Sequence, residues 1–215
     1  MICGVDEAGR GPVMGPMVVA AVMIEGEGPL TELGVKDSKQ LTPARRSALS
    51  VSISEICQME VRAIGPEEID HHRGSMSLNA IEVEAFASLI NRLRPRRAFV
   101  DAVDVDPGRM RSHLEGMVGS EVEVTCQHRA DECFPVVSAA SIVAKVIRDR
   151  LMREVEEELG GPVGSGYAHD PVTRAFLEKW IRDHGDLPPH TRRSWITAKR
   201  MVSLSKVARL GEWTD

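Results

Sequence analysis

Residues 1–24 read MICGVDEAGRGPVMGPMVVAAVMI, and this stretch decides the class of fold. Two apolar runs, Met1–Val5 and Met17–Ile24, have the length and composition of buried strands. Between them stand two acids and then a run rich in glycine and proline, in which neither a helix nor a strand can continue. The pattern predicts two strands of one sheet joined by a shaped loop, with Asp6 and Glu7 where the first strand ends.

Further along the chain, three more predicted strands alternate with helices. The strands are expected at residues 60–64, 97–100 and 122–126, and the helices at 44–56, 78–93, 134–159, 172–184 and 194–208. Strands joined by a helix run parallel, whereas the first two strands are expected to pair antiparallel. The sequence therefore predicts an α/β fold with a five-stranded mixed sheet flanked by helices, followed by a helical C-terminal extension.

The composition excludes several classes of protein. With 42% hydrophobic and 27% charged residues, the 215-residue chain is globular rather than disordered. A net charge of −5 excludes a simple polycation that coats nucleic acid but leaves room for a local basic face. Four scattered cysteines without a Cys-x-x-Cys pair favour reduced thiols, and the chain shows neither a secretory leader nor a long apolar run. We therefore expect a cytoplasmic protein.

Acidic residues stand at the ends of the predicted strands, where ligands gather in α/β sheets. Asp6 and Glu7 close the first strand, Asp101 closes the fourth, and Asp131 opens the segment after the fifth. Neighbouring parallel strands lie about 4.8 Å apart, so these carboxylates can converge within metal-bridging distance. Oxygen ligands favour Mg²⁺ or Mn²⁺ over zinc. A single Asp after a strand is also a common turn former or helix cap, and on the residues alone this alternative stays open.

Three further acids, Asp104, Asp106 and Glu132, neighbour these positions in the sequence. Spacing alone does not exclude them as metal ligands. Because Asp is a preferred helix cap and Pro is favoured in the first helical position, we interpret Asp104 and Asp106 as caps of a helix that begins near Pro107.

A series of motifs, in this order, resembles those of type 2 ribonucleases H, the ribonuclease HII family. They are Asp6-Glu7-Ala8-Gly9-Arg10-Gly11-Pro12, Asp37-Ser38-Lys39-Gln40-Leu41, Asp101-Ala102, His128-Arg129-Ala130-Asp131, Ser138-Ala139-Ala140-Ser141-Ile142-Val143-Ala144-Lys145 and Gly164-Ser165-Gly166-Tyr167. Arg193-Ser194-Trp195 resembles the archaeal and eukaryotic branch. The resemblance covers residues 2 to about 200 and implies a ribonuclease H-like fold. It also implies endonucleolytic cleavage of RNA in RNA–DNA hybrids, including single ribonucleotides in duplex DNA, during replication and ribonucleotide removal.

The resemblance also implies the catalytic centre. The metal-binding catalytic carboxylates are then Asp6, Glu7, Asp101 and Asp131, with Asp6 expected to bridge two ions of Mg²⁺ or Mn²⁺. Hydrolysis with two metal ions leaves a 3′-hydroxyl and a 5′-phosphate. We expect residues 1–165 to form the catalytic domain and residues 166–215 to form a helical extension that contributes to substrate binding.

Substrate contacts follow from the same resemblance. Gly9-Arg10-Gly11 is expected to read the 2′-hydroxyl, the group that distinguishes RNA from DNA, because glycines let the backbone approach the sugar closely. Tyr167 is expected to stack on the nucleotide. The remaining expected substrate-binding residues, which contact phosphate, are Lys39, Arg46, Ser141 and Lys145. Lys39 and Lys145 are supported by their places in the motifs, whereas Arg46 is named from its place near the start of a predicted helix, and simple solvation stays the alternative for it.

The C-terminal part carries a different charge from the body. From Pro171 onward there are nine Lys or Arg and five Asp or Glu residues, which suits an arm that lies along a duplex. The last residues, with Leu210 and Trp213 three apart, are a degenerate match to the tails that bind sliding clamps; the alternative is that both side chains pack on the body. We expect a monomer. The competing functions are a hybrid-binding module without catalysis and another nuclease on the same fold.

Overall fold

One mixed sheet of five strands is the centre of the computed structural model, which describes residues 1–35 and 41–211, with side chains through residue 204. The strands are β1 (Ile2–Ala8), β2 (Met17–Ile24), β3 (Gln58–Ile64), β4 (Arg97–Asp101) and β5 (Glu123–Gln127). They are ordered β3-β2-β1-β4-β5. β1 pairs antiparallel with β2 and parallel with β4, and β4 pairs parallel with β5. The predicted mixed sheet is confirmed.

Nine helices lie in the described residues. They are α1 (Gly28–Glu32), α2 (Pro43–Ile56), α3 (Pro66–His72), α4 (Leu78–Leu93), α5 (Pro107–Glu115), α6 (Ala130–Cys133), α7 (Pro135–Leu159), α8 (Pro171–His184) and α9 (Ile196–Gly211). The predicted helices are all present within about two residues at their starts. The short helices α1, α3 and α6 were not predicted, because four to seven residues are too few to show a helical period of apolar positions.

Polar side chains begin the helices where the sequence indicated. Thr42 accepts a hydrogen bond from the Arg45 main-chain N at 3.3 Å at the start of α2. Asp106 accepts from the main-chain N of Gly108 at 2.9 Å, and Asp104 accepts from the main-chain N of Asp106 at 3.1 Å. The interpretation as a cap is therefore confirmed for Asp106, whereas Asp104 bonds to the main chain of the cap residue and to the Arg109 side chain.

The strand register brings two acids to the same level of the sheet. Val5 of β1 pairs with Val100 of β4, so Asp6 and Asp101 are the next residues on two adjacent parallel strands. β2, on the other side of β1, is buried along its whole length. Apolar burial on this scale is the main stabilising contribution to the sheet, and it fixes β1 at the centre.

The start of α7 lies very close to β1. A Cβ atom built on Gly4 would lie 2.3 Å from the carbonyl of Val136, so only glycine fits at this position. The Val136 main-chain N donates to Glu27 Oε1 at 3.2 Å, and the Ser138 hydroxyl donates to the Val35 carbonyl. These contacts hold α7 at a fixed height beside β1, which matters because α7 carries Ser141 and Lys145.

The chain divides into two compact units. The first comprises Met1–Ala8, Val18–Ala63 and Met76–Arg148, and the second comprises Gly9–Met17, Ile64–Ser75 and the described residues from Asp149 onward. The second unit has its own apolar core, to which Met14, Val163 and Leu177 contribute. This division does not test the predicted boundary at residue 165, which stays a prediction. Within the described residues, no helix combines the length and apolar character needed to cross a membrane.

Candidate active site

Asp6 is a buried carboxylate on β1, with its side chain 5% exposed. Its Oδ1 accepts a hydrogen bond from the main-chain N of Glu7 at 2.7 Å. Burial raises the pKa of Asp6 from 3.8 to about 7, a hydrogen bond from Ser141 opposes that rise, and the neighbouring Asp101 carboxylate adds to it. An acid of this kind is held in place at an energetic cost, which is typical of functional carboxylates.

Asp101 links the end of β4 to the start of α6. Its Oδ1 accepts a hydrogen bond from the main-chain N of Ala130 at 2.8 Å, and the next residue, Asp131, is buried with 6% of its surface exposed. Because the charge of Asp101 raises the pKa of Asp6, the two carboxylates interact electrostatically. The structure therefore brings together the acids of β1 and β4. It also links the first residue of α6, Ala130, to Asp101 by a hydrogen bond. Glu7 follows Asp6 on β1 and is half-buried.

Ser141 and Lys145 of α7 engage the same carboxylate. The Lys145 Nζ donates to Ser141 Oγ at 2.9 Å, Ser141 in turn hydrogen bonds to Asp6, and the positive charge of Lys145 lowers the pKa of Asp6. A four-residue separation on a helix puts both side chains on one face. Both residues were predicted as phosphate contacts. The structure shows a further role, since together they orient Asp6 and partly offset its buried charge.

The donor atoms of this group fit a hard divalent cation. Carboxylate oxygens that are buried together repel one another, and a cation of the Mg²⁺ type neutralises that repulsion. No group of three or more His, Cys, Asp or Glu side chains is arranged to hold a metal ion in the part of the chain that the structure describes. Because carboxylate oxygens suit hard cations, the donors fit the predicted Mg²⁺ or Mn²⁺ ions. The convergence of all four carboxylates stays a prediction.

In the second unit, two loops are hydrogen bonded to each other. We call residues 9–16 the glycine loop and residues 164–170 the tyrosine loop. The carbonyl of Gly166 accepts from the main-chain N of Val13 at 2.8 Å and of Met14 at 3.1 Å. A Cβ atom on Gly11 would lie 3.5 Å from Cε1 of the half-buried Tyr167, so the tyrosine ring lies beside the glycine loop. The structure therefore brings together the residues predicted to read the sugar and the residue predicted to stack on the nucleotide.

The tyrosine loop is shaped by the start of α8. Asp170 Oδ2 accepts from the Ser165 main-chain N at 2.7 Å and from its hydroxyl at 2.6 Å, and Thr173 Oγ1 accepts from the Gly166 main-chain N at 3.0 Å. The hydrogen bonds that Asp170 accepts, led by the one from the Ser165 hydroxyl, lower its pKa to about 2. Asp170 and Thr173 were not predicted as functional residues, although the Asp-Pro step at the start of a helix is a sequence signal for a cap.

Arg192 is the most notable residue that the sequence patterns did not reveal. Its side chain is fully buried and donates to main-chain carbonyl oxygens of the glycine loop. The adjacent Trp195 donates its indole N–H to the Gly11 carbonyl at 3.3 Å. The Arg193-Ser194-Trp195 motif indicated only a branch of a family, and a lone arginine before it carries no periodic signal.

Comparison with known proteins shows the family of this chain. Residues 3–198 match the family model described as Ribonuclease HII. The chain belongs to the ribonuclease HII family. A curated ribonuclease HII of Thermococcus onnurineus is 46% identical over 205 residues, covering 93% of this chain and 89% of that protein. Members of the family are nucleases that cleave RNA in RNA–DNA hybrids, so the predicted family and the predicted class of enzyme are confirmed.

Solved structures of ribonuclease HII proteins are similar along the whole chain. The structure of ribonuclease H2 from Pyrococcus horikoshii has a TM-score of 0.89 and 40% identity, covering 95% of this chain and 98% of that one. The protein in a PCNA:RNase HII complex from Archaeoglobus fulgidus has a TM-score of 0.88 and 44% identity, covering 94% and 96%. The predicted ribonuclease H-like fold is therefore confirmed.

Some residues named from the sequence are not part of either group. Arg46, on α2, is half-buried and donates to the carbonyl of Leu41 at 2.8 Å, so its predicted phosphate contact stays a prediction. Lys39 lies outside the described residues, as does Trp213, and the side chain of Leu210 is also outside them. The predictions made for these three residues are therefore untested.

Proposed function

We propose that this chain is an endonuclease that hydrolyses the RNA strand of RNA–DNA hybrids and also incises at single ribonucleotides in duplex DNA. Membership of the ribonuclease HII family supports the hybrid activity. The observation that carries the proposal is the electrostatic interaction of Asp6 with Asp101 at the ends of adjacent parallel strands, because a bound cation relieves the repulsion between two ionised carboxylates.

Asp6, Glu7, Asp101 and Asp131 are the proposed ligands of two ions of Mg²⁺ or Mn²⁺. When bound, such ions lower the pKa of an attacking water and stabilise the charge that develops on the departing 3′ oxygen. Asp6 is the proposed bridging ligand, in keeping with its burial and with its interactions with both Asp101 and Ser141. The proposed products carry a 3′-hydroxyl and a 5′-phosphate.

The chain's own residues prepare this chemistry. Ser141 fixes the orientation of Asp6, and Lys145 holds Ser141 while favouring the ionised form of Asp6. An ionised carboxylate is the form that binds a cation, so both residues keep Asp6 in the form that a metal ion needs. Lys145 and Ser141 also stay candidates for phosphate contacts, together with Arg46 and Lys39.

We propose that the glycine loop and the tyrosine loop of the second unit select the ribonucleotide. Main-chain groups of Gly9-Arg10-Gly11 would contact the 2′-hydroxyl, which is the group that distinguishes RNA from DNA. The ring of Tyr167 would stack on the nucleotide. The position of the Tyr167 ring beside Gly11 supports this pairing of roles, because a single nucleotide could then meet both residues.

A labelled duplex with one ribonucleotide tests the proposal. The wild-type protein should cut it at the ribonucleotide in Mg²⁺ or Mn²⁺ and leave it intact in a chelator. A matched hybrid with an all-RNA strand should also be cut, and a matched DNA duplex should not. Binding of the ribonucleotide duplex without any cleavage would favour the hybrid-binding module instead, whereas cleavage of the DNA duplex would favour another nuclease on this fold.

The C-terminal part supports two weaker proposals. Residues 166–215 would extend the catalytic domain and lie along the duplex, as their excess of basic residues suggests. The ribonuclease HII of Archaeoglobus fulgidus has been solved in complex with PCNA, which supports a sliding clamp as a partner of this chain. Deletion of residues 210–215 should abolish capture by the clamp. Unchanged capture would exclude the tail as the binding site.

The cellular setting is proposed from the cysteines and the substrate. Cys3, Cys57, Cys126 and Cys133 are free thiols in the structure, in keeping with a reducing cytoplasm. We propose that the protein acts there as a monomer in replication and in the removal of ribonucleotides from DNA. Light scattering of the purified protein at working concentration would show a mass near 23.6 kDa if it is monomeric.

A further inference from the structure

A fully buried arginine holds the glycine loop through its main chain. The guanidinium of Arg192 donates to the carbonyl of Gly9 at 2.5 Å, of Arg10 at 2.7 Å and of Gly15 at 3.1 Å. Its side chain is 0% exposed. Burying a guanidinium is costly unless it is well hydrogen bonded, and the three carbonyls of the glycine loop offset that cost here.

The glycine loop needs donors that its own secondary structure does not supply. The ladder between β1 and β2 ends at the pair Ala8–Val18, and the residues that follow leave it. Gly9 has a φ of +85°, a conformation that residues with a side chain rarely adopt. The planar fork of an arginine can reach several carbonyls at once, whereas a lysine ammonium concentrates its donors on one atom.

Trp195 completes the set. Its indole ring lies 5.0 Å from Arg192 Cζ, and its N–H reaches the Gly11 carbonyl. The three consecutive carbonyls of Gly9, Arg10 and Gly11 are therefore all bound by Arg192 or Trp195. These bonds tie the main chain of the glycine loop to the segment that carries Arg192 and Trp195.

The segment that carries these two residues is itself anchored. The Arg192 main-chain N donates to the Val13 carbonyl at 2.8 Å. The carboxylate of Asp70 accepts from the main-chain N of Arg193 at 2.7 Å and of Ser194 at 3.0 Å. A positioning group must be rigid to be effective, and these bonds hold the backbone around Arg192 in place.

We infer that Arg192 is a positioning residue for ribonucleotide selection: its guanidinium sets the main-chain conformation of Gly9-Arg10-Gly11, and Trp195 assists it. The inference rests on the proposed function, in which this loop reads the 2′-hydroxyl. Arg192 itself is buried and acts only through the loop. Its loss should therefore affect recognition of the sugar more than it affects hydrolysis.

Two substrates separate these effects. In a hybrid with an all-RNA strand, a loop that is slightly misplaced still meets a ribonucleotide at every register. In a duplex with one ribonucleotide, only one register presents a 2′-hydroxyl. The ratio of kcat/KM on the single-ribonucleotide duplex to kcat/KM on the hybrid therefore reports on the position of the loop. Partial unfolding lowers the active fraction for both substrates equally and leaves this ratio unchanged.

The test compares Arg192→Lys with Arg193→Lys. Arg193 is a matched control because it is adjacent, is half exposed and pairs with Asp186. We expect Arg192→Lys to lower the ratio by about 100-fold, the size of effect that a misplacement of about 1 Å produces. Arg193→Lys should keep the wild-type ratio. A folded Arg192→Lys protein whose ratio stays within about twofold of wild type would overturn the inference.

A second variant covers the case in which Arg192→Lys does not fold. Trp195→Phe keeps an aromatic ring next to Arg192 and removes only the hydrogen bond to Gly11, so we expect the ratio to fall about fivefold. If Arg192→Lys is unfolded and Trp195→Phe has the wild-type ratio, the inference fails. Wild-type cleavage of the single-ribonucleotide duplex is measured first: its absence refutes the proposed function, whereas its presence leaves the ratio to decide the role of Arg192.

Discussion

In the first unit, the acids Asp6 and Asp101 lie at the ends of adjacent strands, and burial raises the pKa of Asp6 to about 7. In the second unit, the acid that shapes the tyrosine loop, Asp170, has hydrogen-bond donors around it that lower its pKa to about 2. Asp6 and Asp101 repel each other when both are ionised, and a bound cation would relieve that repulsion. Asp170, by contrast, stabilises its loop through hydrogen bonds alone. Under the proposed function, the cleavage centre would be completed by metal ions, whereas the recognition loops are hydrogen bonded without any ligand.

The largest expected effect is the loss of cleavage on removing one acid of the first unit. Asp101→Asn keeps an oxygen that can accept from the Ala130 main-chain N but loses its charge. We expect cleavage of the single-ribonucleotide duplex in Mg²⁺ to fall at least about 1,000-fold, because a bound metal contributes several kcal/mol to catalysis. Asp106→Asn, which preserves a helix cap, should retain activity. Equal cleavage by Asp101→Asn and wild type would remove Asp101 from the centre.

The next effect concerns stability and pH. Because the pKa of Asp6 in the folded protein lies above its ordinary value, the folded state binds more protons between about pH 4 and pH 7. Without metal, stability should therefore fall as the pH rises through that window, by at most about 4 kcal/mol. Asp6→Asn should remove this slope and be more stable than wild type at pH 8. Thermal unfolding in a chelator measures both, and identical slopes would contradict the assignment.

A smaller effect is expected where α7 meets β1. Gly4→Ala would place a methyl group against the Val136 carbonyl, and backbone atoms cannot move aside as the end of a side chain can. We expect a loss of about 1–3 kcal/mol in the free energy of unfolding, together with weaker metal binding as α7 carries Ser141 away from Asp6. Gly28→Ala is the control, since nothing lies within 4 Å of a Cβ there. Denaturant unfolding with similar midpoints for the two variants would show that the close approach is unimportant.

The smallest effect belongs to the second unit. Asp170→Ala removes the cap of α8 and the bonds to Ser165. We expect Tm at neutral pH to fall by about 2–4 °C. Because the folded pKa is depressed, this difference from wild type should vanish as the pH falls from about 4 to about 2. Mg²⁺ should leave the difference unchanged, in contrast to its effect on Asp6. Asp183→Ala on the same helix is the control, and a shift that depends on Mg²⁺ would contradict the separation of the two regions.

Much of the fold could be predicted because it follows local patterns. The apolar run of β2 and the helical period of α4 indicated Met17–Ile24 and Leu78–Leu93, the bounds that the structure has. The short helices could not be found in this way. α1 begins with Gly28-Pro29, which is equally typical of a turn, and its helical form depends on packing of Leu30 in the core.

The candidate site was predictable to a different degree in its two parts. Asp6 and Asp101 could be named because acids that follow apolar strands are conspicuous, and parallel pairing brings strand ends together. The contact of Ser141 with Asp6 could not be predicted, since it depends on where α7 packs along β1. Arg192 was missed because its bonds reach the glycine loop more than 170 positions away in the chain, and no local pattern records such a contact.

The most direct test of the account is to locate Mn²⁺ by anomalous diffraction in crystals of the protein with a duplex that contains one ribonucleotide. The account predicts two peaks whose protein ligands are drawn from Asp6, Glu7, Asp101 and Asp131, with Asp6 touching both. It also predicts a glycine loop in the same main-chain conformation as without substrate. Ions bound at other residues, or none bound near Asp6, would contradict the claim that metal ions complete the strand-end acids.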